Sequence, residues 1–226
     1  SVFSQLGFDT FTSLEYMNNV QYNDIGWADD SVLTQQIVEI LNGSEGRDFI
    51  YTISVQGHGD YPSDYEIKPG DIRAKGEAVE DFIQPFTYYI NQAYEMDKFV
   101  GELISALRKV NEPIVLVMYG DHLPAFDITD DELSAGNTYT TEYVVWNNIG
   151  LEKVDEDVEA FQLTSHVMDM LGISGGAISK YHSTLRHSEN YDEYLEGLRV
   201  LEYDILYGDK EVYGGSLPYS QTNLQM

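Results

Sequence analysis

The chain has 226 residues, 42% of them hydrophobic and 13% aromatic, so it can bury one good-sized core and is not a disordered tail. Twelve Lys and Arg residues against 39 Asp and Glu residues give a formal net charge of −27, which repels nucleic acid and argues against DNA or RNA binding. The absence of cysteine excludes disulfides and thiolate metal sites.

Helical and strand-like patterns alternate along the chain, which favours an α/β fold. The first long helix is predicted to follow the capping residues Asp29, Asp30 and Ser31 and to end near residue 43, because its apolar residues keep helical spacing. Residues 49–55 are rich in β-branched and aromatic side chains and predict a strand. That strand leads into a glycine-flanked His58 and then a surface loop of about seventeen residues, which borders the expected site.

The longest helix is predicted from about residue 86 to residue 110, where apolar residues form one stripe. Residues 113–119 follow as a continuous apolar run, which is typical of a strand buried on both faces, as in a parallel sheet. Residues 141–147 predict a third strand.

Two further helices are predicted near the carboxyl end. They cover residues 161–171, closed by Gly172, and residues 191–207. Residues 216–226 are predicted to form a loosely ordered tail.

The strand at residues 113–119 stops at Gly120 and is followed at once by Asp121 and His122. Ligands of α/β sheets gather at the carboxyl ends of strands, and Gly120 lets the backbone turn sharply there. A carboxylate oxygen beside an imidazole nitrogen suits Zn2+, Mn2+ or a similar ion. The pattern therefore predicts a metal site, and the dipeptide alone leaves open a turn-capping Asp beside a structural His.

Four segments in order carry a resemblance to a known family: residues 26–30 (Gly-Trp-Ala-Asp-Asp), 54–58 (Ser-Val-Gln-Gly-His), 118–122 (Met-Tyr-Gly-Asp-His) and 169–173 (Asp-Met-Leu-Gly-Ile). The chain resembles the carboxyl-terminal part of a catalytic domain of the lipoteichoic acid synthase and phosphoglycerol transferase group, in the sulfatase (alkaline phosphatase-like) superfamily. The Tyr-Gly-Asp-His motif is the most specific of the four. The resemblance extends from near residue 6 to about residue 175.

The resemblance implies a partial sulfatase-like sandwich, with a mostly parallel central sheet flanked by helices. Residues 1–226 are then the carboxyl-terminal portion of one catalytic domain, and its amino-terminal half is expected to precede residue 1. Related enzymes carry their threonine nucleophile and an acidic metal ligand in that half, so no nucleophile is assigned in this chain. Thr52, Thr140 and Thr141 are poor substitutes, because the first lies inside a predicted strand and the other two begin one.

By the same resemblance, Asp121 and His122 match the family's two late metal ligands, with Mn2+ as the expected ion and an incomplete site in this chain. His58 matches a histidine that contacts the phosphate or the glycerol head group, and an exposed turn histidine is its alternative. Trp27 resembles an aromatic residue that lines the head-group pocket, and simple packing is its alternative.

No catalytic or metal-binding role is predicted for the other three histidines. His166 lies on an apolar helix where related proteins show a Pro-Thr pair, and a core or interface role is predicted for it. His182 and His187 lie in a polar stretch and carry no identifiable chemistry.

The resemblance implies extracellular, metal-dependent transfer of a phosphoglycerol group from a membrane phospholipid to a glycolipid or cell-wall polymer acceptor. The full-length protein is expected to be anchored by upstream helices at the extracytoplasmic face of the membrane, and this chain alone is expected to be inactive. No apolar run here approaches the ~20 residues that cross a bilayer, so this portion is predicted to be soluble. A sulfatase, a phosphodiesterase or a non-catalytic binding domain that has lost its nucleophile remain alternatives.

Overall fold

The computed structural model describes residues 2–216, apart from the side chains of residues 77–79, so the predicted tail beyond Ser216 lies outside the described residues. The chain divides into two compact units: a central unit, Thr12–Ile149, and a terminal unit that combines Ser1–Phe11 with Gly150–Met226. The regular elements in chain order are helices α1 (Val2–Gln5), α2 (Ser31–Gly43) and α3 (Ile83–Leu107), strands β1 (Val115–Tyr119) and β2 (Tyr143–Asn147), and helices α4 (Leu163–Met170), α5 (Ala177–Leu185) and α6 (Tyr191–Leu206).

Helices α2 and α3 pack on each other to form the core of the central unit. The buried residues of this core are Leu33, Phe99, Leu103, Leu107 and Ile114. Phe99, Leu103 and Leu107 repeat at helical spacing on one face of α3, and Leu33 of α2 packs in the same cluster together with the partly buried Ile37 and Leu41. Helix α2 ends at the predicted glycine, and α3 begins three residues earlier than predicted because Pro85 is tolerated in its first turn, where no N–H partner is needed.

Strands β1 and β2 form a two-stranded antiparallel ladder, in which Val115 lies opposite Asn147 and Tyr119 opposite Tyr143. Both strands fall within their predicted ranges. The apolar run of residues 113–119 suggested a strand of a parallel sheet, and this is wrong for the pair β1 and β2, because the loop between the strands reverses the chain direction.

Residues 49–55 were predicted as a strand, but the described part of the chain shows them in no ladder. At the end of this stretch the N–H of Val55 donates to Oδ1 of Asp30 at 2.8 Å, so a side chain takes the place that a neighbouring strand would occupy. In the described part of the chain, this segment of high β-propensity is therefore extended but not paired. Propensity describes how well side chains fit a pleated sheet surface, and it does not show whether a second strand lies alongside.

The terminal unit packs α4 against α5 and α5 against α6. Its buried centre is Tyr194, whose hydroxyl accepts from Nε2 of Gln162 at 2.9 Å and lies 2.7 Å from Nδ1 of His182. Helices α4 and α6 match the predicted helices, and Gly172 has the left-handed φ of +65° expected of a residue that closes a helix. Helix α5 was not predicted, because its buried face carries His182 rather than an aliphatic stripe.

The histidines of the terminal unit differ in burial. His166 is buried, with Nδ1 3.6 Å from Oε2 of Glu156, which confirms the predicted core role. His187 is exposed, and its Nε2 lies 3.6 Å from Oε1 of Glu156. His182 is buried rather than part of a polar surface stretch, and this burial, followed by the charge of Arg186, lowers its pKa.

We expect the protein to lose stability as the pH falls below about 6.5. As the pH falls, His182 takes up a proton in the unfolded chain at a higher pH than in the folded chain, because its pKa is lower in the folded chain. The neutral imidazole therefore contributes its full stabilisation above the pKa of the unfolded chain, and this contribution is lost as the pH falls towards the pKa of the folded chain. Thermal melts of the wild type and His182→Gln between pH 7 and pH 5 measure this, and the variant should show the flatter dependence of Tm on pH. Equal slopes would contradict the assignment.

Among the described residues, no helix combines the length and the apolar character that crossing a bilayer requires.

Candidate functional site

Trp27 lies on a tight turn directly before helix α2, within the central unit. An isolated antiparallel bridge pairs Tyr22 with Ala28 across this turn, and the N–H of Asn23 donates to the carbonyl oxygen of Trp27 at 2.8 Å. The side-chain oxygen of Asn23 accepts from the N–H groups of Ile25 and Trp27 at 3.2 and 2.9 Å. These bonds fix the backbone at Trp27 and leave its side chain partly exposed.

His58 closes a β-turn at the end of the extended segment. Its N–H donates to the carbonyl oxygen of Val55 at 3.0 Å, and its side chain is exposed. The ring centroids of His58 and Trp27 are 5.1 Å apart in a T-shaped arrangement, and the indole N–H of Trp27 lies 3.5 Å from the carbonyl oxygen of Gly59. The structure thus brings together two of the predicted site residues from segments about thirty positions apart.

Asp121 and His122 follow strand β1, as the motif predicted. Nδ1 of His122 lies 2.7 Å from the carbonyl oxygen of Leu123, and because a carbonyl only accepts, Nδ1 is the donor of this contact, so that in the neutral ring Nε2 is the nitrogen with the free lone pair. Nε2 is 3.8 Å from Oδ1 of Asp121. Two atoms that each bind one ion at about 2.1 Å lie no more than about 4.2 Å apart, so a distance of 3.8 Å is within the reach of a shared cation.

The rings of His58 and His122 are 5.7 Å apart and nearly perpendicular, so the two loops meet at the candidate site. Glycine permits this approach. A Cβ on Gly59 would lie 3.2 Å from Cβ of Ala125, and one on Gly120 would lie 3.3 Å from Cβ of Thr141. All four predicted site residues therefore belong to one region of the central unit.

Five aromatic side chains pack behind these loops: Tyr61, Phe82, Phe86, Tyr89 and Phe126. Tyr61 follows the His58 turn and stacks on Phe126, from the Asp121 loop, with centroids 4.9 Å apart. The hydroxyl of Tyr61 also donates to the carbonyl oxygen of Gly57 at 3.1 Å. This cluster ties the two loops to helix α3, and sequence inspection identified only its helix stripe.

The donor set for a cation is partial. The side chains of Asp121 and His122 are 83% and 57% exposed. Within residues 2–216, no three His, Cys, Asp or Glu side chains are grouped so that they could hold a metal ion. Among the described residues, the candidate site therefore offers a cation the two neighbouring side chains of Asp121 and His122 and no third His, Cys, Asp or Glu.

We expect residues 1–226 alone to bind Mn2+ only weakly, because two protein ligands leave the other coordination positions to water. Isothermal titration calorimetry of this portion should show no tight 1:1 binding, whereas the full-length protein should bind the ion strongly. Tight 1:1 binding by residues 1–226 would show that the partial donor set suffices.

Asp30, one of the three predicted capping residues, supports the site in a way that the sequence did not indicate. It occupies the N-cap position of helix α2, but its side chain makes no capping bond. It is 2% exposed, and its Oδ1 accepts instead from the N–H groups of Val55 and Gln56, at 2.8 and 3.3 Å. The Gly-Trp-Ala-Asp-Asp segment already contained Asp30, but capping and cross-chain bonding use the same residue type, so the local pattern could not separate them.

Comparisons with known proteins agree with the predicted fold. The Sulfatase family model matches residues 1–173. The "Putative cyclic beta-1,2-glucan modification protein" of Rhizobium meliloti (strain 1021) is 30% identical over 124 residues, which are 55% of this chain and 19% of that protein. The chain thus spans about a fifth of this curated relative.

A solved structure, Streptococcus pyogenes phosphoglycerol transferase GacH in complex with sn-glycerol-1-phosphate, matches with a TM-score of 0.75 and 22% identity. The match covers 97% of this chain and 61% of that one. It confirms the α/β, sulfatase-like fold class that the four sequence segments implied.

Proposed function

Because the chain belongs to the Sulfatase family, we propose that it forms part of a metal-dependent phosphoglycerol transferase. The reaction would move a phosphoglycerol group from a membrane phospholipid to an acceptor hydroxyl. The observation that carries this proposal is the convergence of Trp27, His58 and His122 beside Asp121, with centroid distances of 5.1 and 5.7 Å between successive rings. The likeness to a phosphoglycerol transferase in complex with sn-glycerol-1-phosphate supports a glycerophosphate head group.

Asp121 and His122 would hold a divalent cation, which we propose to be Mn2+. When bound, such a cation lowers the pKa of a hydroxyl and polarises phosphoryl oxygens. This chain would orient one of the ligands. The carbonyl oxygen of Leu123 accepts from Nδ1 of His122, so that Nε2 of the neutral ring would be available to bind the cation through its lone pair.

His58 would donate a hydrogen bond to the phosphoryl oxygens. Its ring lies between those of Trp27 and His122, so it is next to both the proposed head-group wall and the proposed cation ligand. Negative charge on the transferring group is best stabilised by donors that are already in position. Trp27 would supply an apolar wall for the glycerol carbon atoms.

We propose that the nucleophile and the remaining cation ligands lie outside residues 1–226. The hydroxyl of Thr141 donates to the carbonyl oxygen of Gly120 at 2.6 Å, which is a structural role. Thr140 and Thr141 precede strand β2 rather than begin it, and Thr52 lies in the extended segment and not in a paired strand. None of the three has the bond to a base that would activate its hydroxyl in the described structure.

The acceptor would be a carbohydrate hydroxyl, on a glycolipid or a cell-wall polymer, and the full-length protein would work at the extracytoplasmic face of the membrane. The name of the Rhizobium relative, which refers to glucan modification, supports a glycan acceptor. The net charge of −27 opposes approach to anionic lipid over about one Debye length.

The full-length protein, reconstituted with phosphatidylglycerol and Mn2+, should release diacylglycerol and should hydrolyse an aryl sulfate poorly. Both substrates are assayed side by side, with Asp121→Ala as the inactive control. Preferential sulfate hydrolysis would favour a sulfatase. Binding of the head group without turnover would favour the non-catalytic alternative.

A further inference from the structure

Two buried side chains join the segment of Trp27 to the segment of His58. Oδ1 of Asp30 accepts from the N–H groups of Val55 and Gln56 at 2.8 and 3.3 Å. In return, Oε1 of Gln56 accepts from the N–H of Asp30 at 3.0 Å. Asp30 is three residues after Trp27, and Gln56 is two residues before His58. The reciprocal bonds therefore lie close to both candidate site residues along the chain.

Asn23 makes a second connection between the same segments. Its Oδ1 accepts from the N–H of Trp27 at 2.9 Å, and its Nδ2 donates to the carbonyl oxygen of Gln56 at 3.2 Å. Nδ2 of Asn23 and Nε2 of Gln56 also lie 3.4 and 3.3 Å from Oε1 of Gln92, which belongs to helix α3. The turn of Trp27 and the turn of His58 are thus both fixed to each other and to the longest helix of the unit.

The arrangement is costly for a residue that only fills space. Burial raises the pKa of Asp30 above its ordinary value, although the N–H groups of Val55 and Gln56 oppose this. Oδ2 of Asp30 is buried without a hydrogen-bond partner in the part of the chain that the structure describes. An apolar residue here would leave the N–H groups of Val55 and Gln56 without this acceptor, so the buried carboxylate points to a requirement for a defined geometry at the end of residues 49–55.

We propose that Asp30, Gln56 and Asn23 form a hydrogen-bonded clasp that holds His58 beside Trp27. We also propose that these three are positioning residues for phosphoglycerol transfer. The second part of this proposal rests on the proposed function. Residues 49–55 join no ladder with the described strands, and the bonds of the clasp fix the end of this segment where it enters the turn of His58. Loss of the clasp should displace His58 without removing any group that touches the substrate.

The test compares three variants of the full-length protein. Asp30→Ala removes the acceptor of both N–H groups. Asp30→Asn keeps an oxygen at the Oδ1 position and should retain both bonds. Leu33→Ala, in the core face of helix α2, which begins directly after Asp30, is a control that lowers stability without removing a side chain of the clasp. Amide hydrogen exchange and steady-state kinetics are measured on each variant well below its Tm.

In Asp30→Ala, exchange at Val55, Gln56 and His58 should rise, and kcat should fall by about 10- to 100-fold with a smaller change in KM. Asp30→Asn should stay within about threefold of the wild type in both measurements, on the same reasoning. Leu33→Ala should leave kcat of the folded protein unchanged.

Unchanged exchange in Asp30→Ala would overturn the clasp, and raised exchange with unchanged kcat would overturn its positioning role. If kcat fell as much in Leu33→Ala as in Asp30→Ala, the effect of Asp30 would be explained by lost stability alone. A wild-type protein without transferase activity would overturn the proposed function, whereas the exchange data would still decide whether the clasp holds His58.

Discussion

Replacing His58 by alanine should lower the turnover of the full-length protein by about 100-fold or more and leave its Mn2+ affinity nearly unchanged. The imidazole stands beside Trp27 and His122, where it can donate to the phosphoryl group as charge develops. It belongs to a different loop from Asp121 and His122, so its removal takes no proposed ligand from the cation. Diacylglycerol release gives the turnover, and calorimetry gives the affinity.

His187→Ala is the matched control, because it removes an exposed imidazole whose contacts are with Arg186 and Glu156. Its turnover should stay within about twofold of the wild type, as surface substitutions usually have small effects. Wild-type turnover in His58→Ala would reduce His58 to an exposed turn residue. A large loss of Mn2+ affinity in the same variant would instead make His58 a cation ligand.

Replacing His122 by alanine should weaken Mn2+ binding to the full-length protein by at least about 100-fold, and activity should be lost with it. Mutation of a residue that only orients a metal ligand typically lowers metal affinity by about 10- to 100-fold, so the loss of the ligand itself should lower it by at least as much. Asp121→Ala should behave in the same way, because its Oδ1 lies 3.8 Å from Nε2 of His122 and would share the ion.

Asp127→Ala is the control for charge, since it removes an exposed carboxylate from the same loop without removing a proposed ligand. It should bind Mn2+ almost as the wild type does. If Asp127→Ala and Asp121→Ala weakened binding equally, general electrostatic attraction by an acidic chain would explain the affinity, and the proposed pair would lose its special role.

Helices α2 and α3 could be predicted because their burial is periodic. Leu33, Ile37 and Leu41 in α2, and Phe99, Leu103 and Leu107 in α3, repeat at helical spacing, and this pattern, with the capping residues and the glycine that bound α2, located both helices to within a few residues. Strand β1 was found from its continuous apolar run. Helix α5 was missed because a buried histidine occupies its inner face, and a polar residue gives no hydrophobic period.

Strand pairing could not be predicted in the same way. Residues 49–55 and strand β1 look alike in sequence, yet only β1 lies in a described ladder, because pairing depends on neighbours that are distant in the chain. The site shows the same limit. The motifs named Trp27, His58, Asp121 and His122 one by one, and the family resemblance supplied their roles, but their proximity and the Asp30 bonds emerged only from the fold.

Anomalous diffraction from crystals of the full-length catalytic domain, grown with Mn2+ and sn-glycerol-1-phosphate, would locate the cation and the head group relative to the four site residues. We expect one manganese peak at coordination distance, about 2.0–2.2 Å, from a carboxylate oxygen of Asp121 and from Nε2 of His122. We also expect a phosphate oxygen within hydrogen-bonding distance of His58 and glycerol carbons against Trp27. Manganese bound away from Asp121 and His122, or a phosphate that does not contact His58, would contradict the proposed site.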